Sequence, residues 1–247
     1  MELPLAFTDR TKNLLKDEYP AFEKALREES PISIRLNPLK TNSGLFGQEQ
    51  VPWCKNGYYL QDRPAFTFDP RFHAGAYYVQ EASSMFLDYV IRQHIIRPVR
   101  YLDLCAAPGG KTTLALSALP EGSLVVCNEI VRNRAHVLAE NIIKWGNPYC
   151  IVTNNDSATF NSLKHYFDVI LTDVPCSGEG MFRKDRKMVK AWEEHGPEFF
   201  VKIQRSIITQ AAQMLKPGGM LLYSTCTFSP EENEQTIEFL LQEYPQF

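Results

Sequence analysis

From residue 99 onward, short apolar runs alternate with longer segments whose apolar positions recur at helical spacing. The runs at 100–105 (RYLDLC), 123–129 (SLVVCNE), 149–154 (YCIVTN), 167–172 (FDVILT) and 219–225 (GMLLYST) each end in polar or Gly/Pro residues and predict strands. Between them, 111–119, 131–145, 198–215 and 231–244 predict helices. Pro230 falls at the N1 position of the last, and Lys216-Pro217-Gly218-Gly219 stops the one before it. A β-α-β-α succession implies a parallel, doubly wound sheet, so the expected class is α/β. Residues 1–98 keep a different rhythm: an amphipathic helical stretch over 8–29, an extended segment (ISIRLNPL), a Pro/Gly/aromatic stretch and a second helix over 82–97. This predicts a small N-terminal α+β accessory domain, 1–98, and a core, 99–247, divided at Arg97-Pro98-Val99.

Composition narrows the classes. With 44% hydrophobic and 22% charged residues in 247, the chain has the balance of a globular protein. It holds no apolar run long enough to span a bilayer, and its N-terminus lacks a basic region followed by an apolar one. A cytoplasmic location is therefore expected, with no membrane partner. The net charge of −3 excludes a uniformly basic surface but not a local basic patch. Residues 1–98 carry twelve basic and twelve acidic side chains, so the excess negative charge resides in the core. The six cysteines are widely spaced, with no CxxC pair and no histidine at ligand spacing. No metal and no disulfide framework are expected, and each thiol is either core filler or a reagent.

The first core strand runs into Asp103-Leu104-Cys105-Ala106-Ala107-Pro108-Gly109-Gly110-Lys111-Thr112, a small-residue loop opening onto a helix. Such a loop lets backbone N–H groups approach a ligand closely. It is not a Walker A loop, because Cys105 stands where the first glycine of that motif is required, and the GxGxxG pattern fails too. The second strand ends at Asn128-Glu129 and the third at Asn155-Asp156. Each carboxylate alone reads equally as a turn former or helix cap. Together with the loop, at successive strand ends, they point to a nucleoside-type cofactor.

Two cysteines follow the fourth and fifth strands, in Thr172-Asp173-Val174-Pro175-Cys176-Ser177-Gly178 and Tyr223-Ser224-Thr225-Cys226-Thr227. In the usual strand order 3-2-1-4-5 these strands are neighbours about 4.8 Å apart, which puts both thiols at one carboxyl edge. A thiolate adds to an electron-poor ring carbon, and a second group assists when the enzyme leaves by elimination. Cys54, Cys127 and Cys150 read as packing, and Cys105 as loop packing.

These segments, DLCAAPGGKTT, TDVPCSGEGMFRKD and YSTCTFSPEENE, resemble the cytosine-C5 RNA methyltransferases of the Fmu/Sun (NOL/NOP/Sun) family, in the correct order along nearly the whole chain. The resemblance implies a class I, Rossmann-like methyltransferase fold with S-adenosylmethionine as methyl donor. It implies that Cys105, Ala106, Ala107, Pro108, Gly109, Gly110 and Lys111 wrap the methionine part of the cofactor, that Glu129 holds the ribose, and that Asp156 binds the adenine amino group. Arg134 and Asp173 join the cofactor side. It also implies that Cys226 attacks C6 of the cytosine, that Cys176 assists release, and that Asp173 and Lys111 hydrogen-bond or protonate the pyrimidine. A Pro-Cys motif alone would equally fit DNA cytosine methylation; the second cysteine in STCT favours RNA, and DNA is not an expected partner. The substrate implied is 16S ribosomal RNA or the small ribosomal subunit, transfer RNA being the alternative. A non-catalytic RNA-binding or ribosome-assembly factor is the competing class.

Directly after the Pro-Cys motif, Arg183, Lys184, Arg186, Lys187 and Lys190 form a basic run expected to contact phosphate. Arg35 and Asn37 of RLNPLK read equally as an extension of that RNA surface and as ordinary strand-edge residues. The five histidines share no motif. The family resemblance further implies two strands and an RNA-binding domain beyond 231–244, so in a chain lacking those parts the fifth strand is expected as an uncovered edge or paired to another chain.

Overall fold

The alternation of apolar runs and helical segments past residue 99 is present in the structure, a computed structural model that describes residues 3–41 and 49–247. In chain order the elements begin with α1 (Leu5–Leu15), α2 (Tyr19–Arg27), β1 (Ile32–Leu36), β2 (Gly57–Leu60), α3 (Pro70–His73), β3 (Tyr77–Val79) and α4 (Phe86–His94). They continue with β4 (Arg100–Asp103), α5 (Gly110–Ala118), β5 (Leu124–Asn128), α6 (Arg132–Trp145), β6 (Cys150–Thr153), β7 (Phe167–Asp173), α7 (Arg186–Met214), β8 (Leu215–Ser224) and α8 (Glu234–Glu243). Backbone contacts group the chain into two compact units. One holds Met1–Ser30, Val174–Thr209 and Ser224–Phe247, and the other Pro31–Asp173 and Gln210–Tyr223.

The larger unit contains both sheets. Its five-stranded sheet has the order β6-β5-β4-β7-β8, which is the expected 3-2-1-4-5 succession with β8 at the edge. The central strand β4 pairs in parallel with β5, Arg100 opposite Leu124, and with β7, Asp103 opposite Leu171. A parallel strand covered on both faces must be apolar throughout, and Tyr101, Leu102, Val125, Ile170 and Leu171 are accordingly buried. Six of the nine residues of α5 are buried too, which its Thr, Ala and Leu side chains permit at close packing distance.

The second sheet of this unit is antiparallel, β2-β1-β3, with β1 in the middle. Alternation along that strand puts Ser33, Arg35 and Asn37 on one face, and all three are buried. Arg35 and Asn37 therefore form no RNA surface, against expectation. The Arg35 guanidinium donates to Gln80 Oε1 at 2.8 Å and to Thr113 Oγ1 at 2.6 Å, and lies 4.5 Å from the Trp145 ring. Burial lowers its pKa to about 10. Asn37 donates to the carbonyls of Gly75 and Trp145. Both side chains act as internal staples, since buried donors left unpaired would be costly.

The smaller unit is helical. Phe7 of α1 packs edge-to-face on Phe182 and Trp192, with ring centroids 5.2 and 6.4 Å apart, and Leu26 of α2 completes the cluster.

Several boundaries differ from the sequence reading. The segment 82–97 is a short 3-10 turn over Ser83–Met85 followed by α4, which ends where Ile95 turns extended. The helix expected at 198–215 is the second half of α7, which begins at Arg186 and breaks at Gly196 (φ 63°) before Pro197. β8 starts at Leu215 rather than at 219. Pro230 is not at N1 of the last helix. Ser229 O instead accepts from the N–H groups of Glu232 and Asn233, and the resulting turn delays α8 to Glu234.

Candidate active site

Within the smaller unit the structure brings Cys176 and Cys226 together, their Sγ atoms 3.3 Å apart. Cys226 is exposed and Cys176 half-buried. The two loops meet through their backbones as well: Gly180 N–H donates to Cys226 O at 2.9 Å, and Cys226 N–H donates to Cys176 Sγ at 3.3 Å. A Cβ on Gly180 would stand 2.9 Å from Cys226 O, so this contact requires glycine. The hydrogen bond to Cys226, reinforced by burial, holds the Cys176 thiol well above its ordinary pKa. Either sulfur can donate in the contact between them, and Cys226 is the more exposed of the two.

Two buried carboxylates fix these loops. Glu232 accepts from Ser177 N–H at 2.8 Å, from the Ser177 hydroxyl, and from Gln204 Nε2 at 2.9 Å. Ser177 Oγ also lies 2.8 Å from Thr227 Oγ1, which links the residue after Cys176 to the residue after Cys226. Glu179 accepts from Arg10 at 2.6 Å, from Trp192 Nε1 at 2.9 Å and from Phe228 N–H at 3.1 Å. Neither carboxylate was singled out from the sequence, although both stand inside the motifs that carry the cysteines. Their burial was the missing signal, and it is a property of the fold.

In the larger unit, Lys111 Nζ and Asp173 Oδ1 form an ion pair at 2.7 Å. Lys111 comes from the first turn of α5 and Asp173 ends β7, three residues before Cys176 in sequence. Asp103, fully buried, accepts from Thr112 Oγ1 at 2.6 Å through Oδ2, while Oδ1 has no partner. Burial first, and Asp173 in addition, push its carboxyl up to about 7.

The loop from Cys105 to Lys111 turns into α5 at Gly109, whose φ of 104° is open to glycine and strained for other residues. No side chain caps the helix start, which leaves its backbone donors without that partner. Cys105 is half-buried, and burial raises its thiol pKa. Glu129 is buried at the end of β5. One oxygen accepts from Val131 N–H at 2.9 Å and the other is 3.4 Å from Arg134, which also donates to Ala107 O at 2.9 Å. Arg134 thereby ties Glu129 to the loop. Asp156 is exposed and accepts from Ala158 N–H at 2.8 Å, capping the 3-10 turn Ser157–Ser162.

The basic run is solvent-facing. Arg183, Lys184 and Arg186 line a depression of about 350 Å³ together with Arg27 of α2, a fourth cation that periodicity alone could not have brought to them. Among the described residues no cluster of His, Cys, Asp or Glu has metal-holding geometry, and no helix is long and apolar enough to cross a membrane.

Comparison with known proteins gives a consistent pattern. A sequence model described as 16S rRNA methyltransferase RsmB/F matches residues 96–247, and one described as the N-terminal domain of 16S rRNA methyltransferase RsmF matches residues 3–82. A ribosomal RNA small subunit methyltransferase F of Pectobacterium atrosepticum is 34% identical over 98% of this chain and 54% of its own length. One from Shewanella piezotolerans is 37% identical over 86% of this chain and 48% of its own. The chain spans about half the length of the curated relatives it matches. Among solved structures, a methyltransferase homolog protein from Pyrococcus horikoshii superposes with a TM-score of 0.79 at 29% identity, covering 97% of this chain and 78% of that one.

Proposed function

Because the chain belongs to the 16S rRNA methyltransferase RsmB/F family, we propose that it transfers a methyl group from S-adenosylmethionine to C5 of a cytosine in RNA, with 16S ribosomal RNA as substrate. The observation that carries the reading is the Cys176–Cys226 contact, two sulfurs 3.3 Å apart with Cys226 exposed.

In this reading Cys226 bonds to C6 of the cytosine, and the electron pair of the C5–C6 double bond moves to C5, which takes the methyl group. Proton loss from C5 and cleavage of the Cys226–C6 bond then restore the double bond. Cys176 assists both: its S–H proton passes to the departing Cys226 thiolate, and the Cys176 thiolate so formed takes the proton from C5. Asp173 and Lys111, an ion pair at 2.7 Å, hydrogen-bond the pyrimidine, with the Lys111 ammonium as the proton donor. A cytosine must leave its stack to be attacked in this way, costing a few kcal/mol unless the RNA is already single-stranded.

The residues fit the cofactor. Uncapped donors at the start of α5, a glycine-permitted turn and a buried carboxylate with lone pairs to spare match a zwitterionic nucleoside. The loop Cys105–Lys111 would hold the methionine part and Glu129 the ribose, with Arg134 fixing Glu129 and Asp156 facing the adenine. When bound, S-adenosylmethionine supplies an electrophilic methyl group.

Arg27, Arg183, Lys184 and Arg186 serve as the phosphate-contacting surface, and residues 1–98 as an accessory RNA-binding domain. A ribosomal RNA substrate entails a cytoplasmic location.

The test is a denaturing gel of Cys176→Ala and Cys226→Ala variants incubated with small-subunit ribosomal RNA and S-adenosylmethionine. A covalent protein–RNA band is expected with Cys176→Ala and none with Cys226→Ala, the latter losing methyl transfer by about a thousandfold or more. The reverse pattern would exchange the two roles. RNA binding with neither adduct nor transfer in the unaltered chain would return the protein to the class of non-catalytic RNA-binding factors.

A further inference from the structure

Inside the N-terminal part proposed above to bind RNA, the Pro/Gly/aromatic stretch contributes to a pocket within the larger unit. Arg63, Phe66, Phe72, Tyr78, Asn141 and Lys144 are among its lining residues, and its volume is about 480 Å³. That lies within the range of small-molecule sites, about 300–1,000 Å³.

Its chemistry is specific. Phe72 sits in an aromatic cluster, its centroid 6.4 Å from that of Phe66 and 5.9 Å from that of Tyr77, yet it remains partly exposed, as does Tyr78. Two cations stand over these rings: Lys144 Nζ is 4.5 Å from the Phe72 centroid, and the Arg63 guanidinium carbon 5.7 Å from that of Phe66. Among the described residues no carboxylate lines the pocket. The nearby Asp69 is already engaged by Arg71 at 2.9 Å and by the Tyr77 hydroxyl at 3.0 Å, and Arg71 holds its pKa down at about 2. Asn141 spends an amide hydrogen on Pro108 O at 2.8 Å, so its side-chain amide is oriented while its oxygen still has acceptor capacity.

Exposed ring surface beside two cations, with an oriented amide and no negative charge, is the combination that single-stranded nucleic acids require. A purely apolar ligand would bury the cations without a counter-charge, and an acidic peptide would leave the ring faces unused. Taking RNA as the substrate, as proposed above, we infer that this pocket receives one nucleotide of single-stranded RNA, other than the methylated cytosine. Its base lies against Phe72 and its phosphate pairs with Lys144 and Arg63. The pocket adds affinity and orients the strand; it takes no part in bond making.

The experiment is a fluorescence-anisotropy titration of a labelled twelve-nucleotide single-stranded RNA with the full chain, its Phe72→Leu variant and its Lys144→Gln variant. Each is assayed in parallel for S-adenosylmethionine binding and methyl transfer. Phe72→Leu is expected to weaken RNA binding about tenfold. Lys144→Gln, a change at the pocket rim that spares the aromatic cluster, is expected to weaken it severalfold and to flatten the dependence of log affinity on log salt by about one unit. Methyl-donor affinity stays unchanged in both. RNA affinity within twofold of the unaltered chain and an unchanged salt slope in Lys144→Gln would overturn the inference, whatever the methyl transfer. Loss of RNA affinity in both variants of a chain that transfers no methyl group would uphold the pocket and reject the activity. Adenosine or cytidine monophosphate binding as tightly as the twelve-nucleotide strand would overturn the assignment to a strand.

Discussion

Two pairs of cysteines sit at nearly the same separation in this chain and have opposite environments. Cys127 and Cys150, on the neighbouring strands β5 and β6, have sulfurs 3.5 Å apart; Cys176 and Cys226 have theirs 3.3 Å apart. In the first pair Cys127 is completely buried, its thiol raised far above the ordinary range by the hydrogen bond to Cys150 and by burial. In the second, Cys226 is exposed, and the buried carboxylates of Glu232 and Glu179 accept from Ser177 beside Cys176 and from Phe228 beyond Cys226. Proximity of thiols therefore does not mark a reactive site. What separates the pairs is exposure of one sulfur to solvent and a polar frame of buried carboxylates beneath it.

Native-state alkylation gives the sharpest contrast. Iodoacetamide is expected to modify Cys226 on the order of a hundredfold faster than Cys127, because Cys127 reacts only when the sheet opens. Peptide mapping by mass spectrometry reads the ratio. Comparable rates at both positions in folded protein would erase the distinction between the pairs.

The frame can be removed while the thiols stay. In Glu232→Gln the new amide offers one acceptor oxygen and a donating NH₂ where Ser177 N–H, the Ser177 hydroxyl and Gln204 all now donate. Leaving a buried donor unpaired costs roughly 1–3 kcal/mol. Methyl transfer is expected to fall about tenfold through kcat, with S-adenosylmethionine affinity unchanged. Activity at the level of the unaltered chain would mean that the frame does not position the cysteines.

How much of this was legible beforehand follows the same division. The parallel sheet could be read because each strand is an apolar run bounded by breakers, and its order followed from topology rules applied to that list. Cys176 and Cys226 could be brought to one edge because they follow adjacent strands. Arg35 was misread because a basic residue in a strand looks like surface, and only the central position of β1 and its cover by α5 and Trp145 make it internal. Glu179 and Glu232 were missed for the mirror reason: carboxylates beside turns look like solvated polar residues until three donors converge on each. Sequence pattern reports which face is apolar, and it is silent on which polar groups the fold chooses to bury and pair.

Asp103 extends the comparison to a buried carboxyl in the same unit as the inert pair. Its pKa of about 7 in the folded chain stands above the ordinary aspartate value of about 3.9, chiefly through burial. The sign follows from proton counts. Below about pH 4 both folded and unfolded chains hold the proton; between about 4 and 7 only the folded chain does, so unfolding releases it and becomes easier as pH rises. The stabilisation associated with the neutral carboxyl is therefore complete below pH 4 and lost by the time pH passes 7. Asp103→Asn keeps a neutral group of similar shape that still accepts from Thr112, and removes this titration. The difference in thermal midpoint between the unaltered chain and Asp103→Asn should consequently shift in favour of the variant as pH is raised from 4 to 8, by an amount on the order of a few kcal/mol in stability. A pH-independent difference across that window would mean that Asp103 is ionised throughout, held by the nearby Lys111, and that this unit buries a charge where the thiol pair beside it buries none.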